Sequence, residues 1–269
     1  MSTLLKIDVS SRGADSVSRS LGSTFAKQWL QLNPNGKVIE RDLTKTDLPF
    51  VELPWIIATR TEPDAQDAEQ RAALAIGDSL IAELKSANEW LITTPMYNFA
   101  IPARLKAYID HIVRADQTFS RTAESFTGLL TGKKATVIFA SAGEYDPSSP
   151  LAAYDHLSPY LKMILALIGV TEVTFVQAGS TWKVDRGITD SETFLTSICG
   201  QHPMLASVGG SRFDERLPSR PSHGGEIFAQ VHREFAPASS DELVDPLQRN
   251  SQAPESRWID HQGRQHRWA

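Results

Sequence analysis

A five-residue segment, PMYNF, combines residue types that suit the binding of a flat ring with polar edges. Met96, Tyr97 and Phe99 offer a soft apolar surface, while Asn98 and the backbone N–H groups offer hydrogen bonds. Pro95 fixes its own φ angle and stiffens the start of the segment. A buried hydrophobic turn is the alternative for an aromatic-rich loop taken alone, so the segment has to be weighed together with two further loops.

A hydroxyl-rich segment near the N-terminus has the chemistry of a phosphate site. Ser10, Ser16 and Ser18, with Val17 between the last two, lie between a predicted strand and a predicted helix. Hydroxyl and N–H groups at a helix N-terminus bind phosphate monoesters well, because the helix dipole favours negative charge there. Ordinary helix capping by serine explains the same residues equally well. The segment has neither a GxGxxG fingerprint nor a Walker lysine, which excludes the standard dinucleotide and triphosphate loops.

A third loop follows a β-branched segment in the second half of the chain. Ser141, Ala142 and Gly143 are small enough to let a ligand approach the backbone closely. This loop, the serine loop and the PMYNF loop each follow a predicted strand. The three together favour a ligand site more strongly than any one of them does.

The hydrophobic pattern alternates strands with helices through most of the chain. The predicted strands are residues 4–9, 38–42, 89–93, 135–140 and 173–177. The predicted helices are residues 18–32, 65–86, 102–113 and 160–168, the last with Ser158 as its cap. This order predicts an α/β fold with a five-stranded parallel sheet, strand order 2-1-3-4-5, and helices on both faces. The three loops would then meet at the carboxyl edge of the sheet, where such folds bind ligands.

The composition of the whole chain bounds its class. A chain of 269 residues that is 41% hydrophobic can bury one substantial core. The net charge of −5 and pI near 5.8 argue against general nucleic-acid binding. A single cysteine, Cys199, excludes an intrachain disulfide framework, and no apolar segment is long enough to cross a bilayer. We therefore expect a cytoplasmic protein without nucleic-acid or membrane partners.

Several segments together resemble a known family. PMYNFAIPARLKAYIDHIVRA, the pair Thr118 and Phe119, TGLLTGKKA and the SSRG…SVSRS loop resemble the FMN-dependent NADH azoreductases. These are flavodoxin-like quinone and azo-dye reductases, and the resemblance covers residues 3–180. It implies an enzyme that transfers electrons from NADH or NADPH to quinones and azo compounds by two-electron ping-pong chemistry. It also implies a homodimer with FMN bound near the interface.

The resemblance further implies which residues contact FMN. They are Ser10, Ser16, Val17 and Ser18 for the phosphate, Pro95, Met96, Tyr97, Asn98 and Phe99 for the ring, and Ser141, Ala142, Gly143 and Glu144 for the ring edge. No metal and no catalytic side chain are expected, because the chemistry belongs to the cofactor. Phe119 and Trp55 are expected to line the substrate slot.

Two positions of the ring-edge loop depart from the family pattern, and Ser120 and Arg121 follow Phe119 where the family often has an aromatic residue. The ring-edge loop of the family has the sequence SRGG, whereas here it is SAGE, with Ala142 and Glu144 as the departures. A carboxylate at Glu144 would disfavour an anionic reduced flavin by like-charge repulsion. A flavodoxin-like FMN electron carrier without its own substrate turnover is the alternative function, and a catalytically inactive relic is a third. The long segment 44–64, predicted to be irregular and carrying Trp55, favours the enzyme.

The C-terminal part of the chain differs in composition from the rest. The first 195 residues hold ten lysines and nine arginines, whereas residues 196–269 hold eight arginines and no lysine. This change falls where a final amphipathic helix would be expected to cover the sheet. We therefore predict a flavodoxin-like FMN-binding domain at residues 1–195 and an irregular C-terminal tail at 196–269, either disordered or aberrant. A frameshifted origin of the tail and a weak metal-binding histidine tract are the alternatives.

Overall fold

The computed structural model describes residues 2–205, 257–259 and 265–267. Its strands are β1 (Thr3–Asp8), β2 (Lys37–Asp42), β3 (Glu89–Pro95), β4 (Phe119–Arg121), β5 (Phe126–Gly128), β6 (Lys134–Ala140), β7 (Glu172–Ala178), β8 (Arg257–Ile259) and β9 (Gln265–Arg267). Five of them form a parallel sheet in the order β2-β1-β3-β6-β7. When only these five are counted along the chain, the order is 2-1-3-4-5, which confirms the predicted flavodoxin-like fold.

Helices cover both faces of this sheet. They are α1 (Val17–Leu32), α2 (Leu53–Ala58), α3 (Ala68–Ser86), α4 (Ala103–Ile112), α5 (Ser158–Leu167), α6 (Trp182–Asp185) and α7 (Ser191–Gln201). Because successive residues of a strand point to opposite faces, the neighbours Leu4 and Leu5 belong to different apolar clusters. The cluster around Leu4 packs against α1 and α7, and the cluster around Leu5 packs against α3, α4 and α5.

Three local predictions differ from the structure. The segment 44–64, predicted to be irregular, contains α2. Pro54 lies in the first turn of this helix, where proline is tolerated. The predicted start of the next helix at residue 65 is three residues early, because Asp67 caps the helix just before Ala68 and forms a reciprocal capping box with Gln70 of the first turn. Ser158 is the first residue of α5 and not its cap. The carboxylate of Asp155 accepts the backbone N–H groups of Leu157 and Ser158 instead.

A final amphipathic helix does cover the sheet. The apolar face of α7, with Phe194, Leu195 and Ile198 buried, packs in the same cluster as Val176 of β7. The helix continues six residues past position 195, where the sequence analysis placed the end of the domain. The division at 195 stays a prediction, and the nature of most of residues 196–269 lies outside the described residues.

The remaining strands form two small antiparallel pairs. β4 and β5 make a hairpin in which Phe119 is opposite Gly128, between α4 and β6. β8 and β9 pair with Trp258 opposite His266. Among the helices that the structure describes, none has the length and apolar character needed to cross a membrane.

Candidate functional site at the carboxyl edge of the sheet

The three loops singled out in the sequence begin side by side. Backbone hydrogen bonds join neighbouring strand ends, from the N–H of Val9 to the carbonyl of Thr93 (2.9 Å) and from the N–H of Met96 to the carbonyl of Ala140 (2.8 Å). The serine loop after β1, the PMYNF loop after β3 and the small-residue loop after β6 therefore leave adjacent strands at the same edge. The PMYNF loop lies in the middle of the three.

The serine loop places its hydroxyls at the N-terminus of α1. Ser10, Ser16 and Ser18 are all buried, and Val17 is half-buried as the first residue of the helix. The Ser16 hydroxyl accepts the backbone N–H of Arg19 at 3.3 Å, and the hydroxyls of Ser16 and Ser18 lie 3.2 Å apart. Capping by Ser16 is thus real. The paired hydroxyls beside the free N–H groups of the first turn still suit a phosphate.

The PMYNF loop is a tight reversal of the chain. Tyr97 and Ala100 exchange two backbone hydrogen bonds of 3.0 Å each, and the two residues between them have positive φ angles, 48° for Asn98 and 68° for Phe99. Asparagine tolerates this conformation, whereas an aromatic residue adopts it rarely and at a cost. The turn leaves Tyr97, Asn98 and Phe99 exposed at the edge of the sheet.

The residues before this reversal are less exposed. Pro95 is the last residue of β3 and is buried, opposite Ala140 of β6. Met96 is half-buried and packs against the core cluster around Leu5. Pro95 therefore anchors the loop to the sheet, while Met96 lies between the core and the exposed tip of the loop.

The small-residue loop after β6 is held by Ser141. Its hydroxyl donates to the carbonyl of Gly143 at 2.8 Å, and its own carbonyl accepts the N–H of Thr181 at 3.1 Å. Ser141 is buried and Ala142 is exposed. The exposed Glu144 turns its carboxylate against Gly179, where a β-carbon would force the Glu144 side chain to move. The predicted effect of Glu144 on a reduced flavin stays a prediction.

Two tyrosines that the sequence analysis missed surround Phe99. The Phe99 ring lies 6.1 Å from Tyr145, edge to face, and 5.2 Å from Tyr154, tilted by 38°. The carbonyl of Phe99 also accepts the N–H of His156 at 3.0 Å. Partial burial raises the pKa of Tyr145, so its hydroxyl stays protonated at neutral pH. The loop that holds Tyr145 and Tyr154 has no periodic pattern. Only its position after a β-branched strand could have indicated that these tyrosines belong to the site.

Within one chain, Trp55 and Phe119 do not join these loops. Trp55 lies on α2 with its ring 6.2 Å from that of His111, in the last turn of α4. α4 starts beside the PMYNF loop, and eight residues at a rise of about 1.5 Å carry the chain roughly 12 Å away from it. Phe119 packs against Phe126 in the β4–β5 hairpin, near the end of α5. Their assignment to a substrate slot stays a prediction.

The residues present fit the phosphate and the ring of a flavin mononucleotide. Buried hydroxyls at the start of α1 are suited to the phosphate, and the exposed PMYNF turn offers an apolar face with hydrogen-bonding groups at its border. Within the part of the chain that the structure describes, no three His, Cys, Asp or Glu side chains are grouped as they would be around a metal ion.

Comparison with known proteins identifies the class. A family described as having a flavodoxin-like fold matches residues 2–193. The chain is 44% identical over 198 residues to FMN-dependent NADH:quinone oxidoreductase 8 of Burkholderia lata, covering 74% of this chain and 93% of that protein. It is also 44% identical over 198 residues to FMN-dependent NADH:quinone oxidoreductase 2 of a Jannaschia species, covering 74% and 96% of the two chains.

A solved structure agrees with these relatives. An FMN-dependent NADH-azoreductase from Bacillus anthracis, in complex with FMN, superposes with a TM-score of 0.65 at 26% identity, covering 74% of this chain and 94% of that one. The fold and the three loops at the carboxyl edge of its sheet thus define a flavodoxin-like protein. More particularly, the chain belongs to the family of FMN-dependent NADH:quinone oxidoreductases and azoreductases, which confirms the resemblance found in the sequence.

Proposed function

We propose that this protein is an FMN-dependent oxidoreductase that transfers electrons from NADH or NADPH to quinones and azo compounds. The observation that carries the proposal is the meeting of the serine, PMYNF and Ser141 loops on three adjacent strands. The names of the relatives, which state FMN dependence and NADH:quinone oxidoreductase activity, support it. The proposed location is the cytoplasm.

Each loop has a separate task in this proposal. Bound FMN supplies the two-electron redox chemistry. Ser10, Ser16 and Ser18 hold the phosphate at the N-terminus of α1, where the helix dipole favours its charge. The turn at Asn98 and Phe99 presses against the ring and offers hydrogen bonds to its polar border. Ser141, Ala142 and Gly143 lie at the ring edge and let the backbone approach it closely.

The donor and the acceptor use the same place in turn. NADH or NADPH would bind first and leave in its oxidised form, and a quinone or azo compound would then occupy the vacated position and be reduced, with bound FMN supplying the two-electron chemistry that connects the two. The exposed rings of Phe99 and Tyr154 offer a flat apolar surface for such planar molecules. No side chain has to act as a nucleophile. The residues bind, orient and shield the reacting rings.

A homodimer is part of the proposal. The segment around α2 exposes large apolar side chains, with Phe50 at 75% and Leu53 at 66% exposure, which a second copy would bury. Trp55 lies in the same segment and is far from the loops of its own chain. A dimer offers a way for Trp55 and Phe119 to reach the site of the other subunit.

A flavin spectrum followed by steady-state assays tests the function. The purified full chain should show flavin absorbance bands, and these should bleach when NADH is added without oxygen. With a quinone or an azo dye present, NADH should be oxidised continuously. Double-reciprocal plots at several acceptor concentrations should give parallel lines, which are typical of a ping-pong mechanism. Sedimentation velocity of the same preparation should give the mass of two chains.

The electron-carrier alternative gives a different result. A carrier would keep the flavin bands but would oxidise NADH with quinone no faster than free FMN at the same concentration. That outcome would contradict the proposed enzyme and leave FMN binding intact. A preparation that neither contains nor takes up FMN would contradict both functions.

A further inference from the structure

Arg19 makes two sets of hydrogen bonds from the first turn of α1. Its Nε and Nη2 atoms donate to the carbonyl of Ser10 at 2.9 and 2.7 Å. Its Nη1 and Nη2 atoms donate to the carboxylate of Asp42, at the end of β2, at 2.9 and 2.7 Å. The Arg19 side chain is only 15% exposed. The planar guanidinium is thereby fixed by one partner in the loop after β1 and another at the end of β2.

These bonds join the two ends of the serine loop. Ser10 lies at the start of the loop and Ser16 at its end, and the backbone N–H of Arg19 donates to the Ser16 hydroxyl. Between them the loop is exposed and has a positive φ of 56° at Gly13. Within the loop itself, the backbone forms only short-range turns, and the half-exposed Arg12 side chain pairs with Asp185 at 3.0 Å. Arg19 is the less exposed of these two connections and the one that bonds to both ends of the loop, so it fixes the spacing of Ser10 and Ser16.

The charge of Arg19 is already balanced. Asp42 pairs with it in bidentate form, and the carboxylate of Asp8 lies 3.6 Å away. Asp42 is itself held by the N–H and hydroxyl of Thr44 at 2.9 and 2.7 Å. The donation from Arg19 and Thr44 holds the pKa of Asp42 well below its usual range, so the pair stays ionised. With Ser10 and Asp42 both engaged, the guanidinium faces the loop backbone and does not act as a phosphate ligand.

We propose that Arg19 and Asp42 are positioning residues that hold the serine loop in its phosphate-binding shape before FMN arrives. The inference rests on the proposed phosphate site and adds the feature that keeps this site preformed. A loop fixed in its bound conformation loses less conformational freedom on binding, which strengthens affinity without a new contact. Neither side chain touches the cofactor in this role.

A comparison of FMN with riboflavin tests the role, because riboflavin lacks the phosphate. Both affinities are measured by fluorescence titration of the apoprotein. In Arg19→Gln, FMN affinity should fall about tenfold, as expected for losing hydrogen bonds to a charged group, and riboflavin affinity should change less than about twofold. Arg19→Lys, with one compact donor, should show a smaller loss of the same selectivity. A general weakening of the fold would lower both affinities equally and would overturn the proposal.

Arg41→Gln is the matched control. Arg41 pairs with Glu83 through a bidentate contact of similar exposure, between β2 and the end of α3, and it touches no part of the serine loop. This variant should lower stability and leave the ratio of FMN to riboflavin affinity unchanged. If the ratio falls as far as in Arg19→Gln, the special role of Arg19 is wrong.

Ser18→Ala separates failure of the inference from failure of the proposed site. If Ser18→Ala lowers the affinity ratio and Arg19→Gln does not, the phosphate site stands and the positioning role is wrong. If Ser18→Ala leaves the ratio unchanged, the serine loop is not the phosphate site and both ideas fall. Should the Arg19 variants not fold, Asp42→Asn serves as the test. It keeps the Arg19 side chain but removes the carboxylate that orients the guanidinium. It should lower the ratio, and an unchanged ratio would overturn the inference.

Discussion

The loops after β1 and β3 leave neighbouring strands of the same sheet, yet different forces hold them. The serine loop is tied by a partly buried ion pair, Arg19 with Asp42, and by the Ser16 cap. The PMYNF loop is tied by its own backbone, through the paired bonds of Tyr97 and Ala100. One end of the proposed site depends on side-chain charge, and the other depends on backbone conformation.

This difference matches the two halves of the proposed ligand. A phosphate needs fixed donors and a favourable field, which a braced helix N-terminus provides. A flat ring needs an apolar face and a few well-placed polar groups, which an exposed turn with Phe99 at its tip provides. Substitutions at the first loop should therefore change cofactor affinity, whereas substitutions at the second should change turnover.

The largest effect is expected at the phosphate end. In the double variant Ser16→Ala/Ser18→Ala, FMN affinity should fall about 100-fold, because two hydrogen bonds to a charged phosphate contribute about 1.5 kcal/mol each. Fluorescence titration of the apoprotein measures the loss. Ser23→Ala, an exposed serine on the same helix, is the control and should bind FMN normally. An unchanged FMN affinity in the double variant would contradict the assignment of the serine loop.

A smaller effect, of a different kind, is expected at the ring end. Phe99→Asn removes the aromatic face and keeps a residue type that tolerates positive φ. The kcat/KM for a quinone should fall about tenfold, as for the loss of one aromatic packing partner, with a much smaller loss of FMN affinity than in the double serine variant. Leu30→Asn, another exposed apolar position on the far part of α1, should change neither quantity. A loss of FMN affinity alone would reverse the proposed division of tasks.

The contribution of the Arg19–Asp42 ion pair to the free energy of unfolding should decrease at acidic pH. Asp42→Asn should lower the free energy of unfolding by about 1 kcal/mol at pH 7. Because pairing lowers the pKa of Asp42 in the folded state, its contribution is present above the ordinary value of 3.8 and is lost as the pH falls below it. Denaturant unfolding at pH 7 and pH 3 should show the gap between wild type and variant shrinking. A gap of constant size would mean that the ion pair does not stabilise the fold.

The sheet and the position of its loops could be predicted because the three central strands are largely buried on both faces. Apolar segments such as residues 135–140 are recognisable without any partner, and the carboxyl edge follows from topology. The contribution of Arg19 was not predictable, since its partners lie 9 and 23 residues away and no spacing rule connects them. Tyr145 and Tyr154 were missed for the same reason.

The domain boundary and the slot residues stay predictions, and they rest on composition and residue type. The end of the fold was placed at 195 because lysine disappears from the sequence there, although composition carries no information about helix packing. In the structure Ile198 and Cys199 continue the apolar face of α7. Trp55 was assigned to the slot by its residue type, and its contact with His111 depends on how α2 packs.

The smallest expected effect separates backbone from side chain at the PMYNF turn. Asn98 has a φ of 48°, so Asn98→Ala should lose about 1 kcal/mol of stability because alanine resists the left-handed region. Asn98→Gly adopts that region freely and should stay within about 0.5 kcal/mol of wild type. Thermal unfolding and quinone turnover are measured on both variants. If turnover follows stability, being lower in alanine and normal in glycine, backbone shape is what the turn supplies. If both variants lose turnover equally, the Asn98 amide contributes a hydrogen bond of its own, and the ring end depends on a side chain as the phosphate end does.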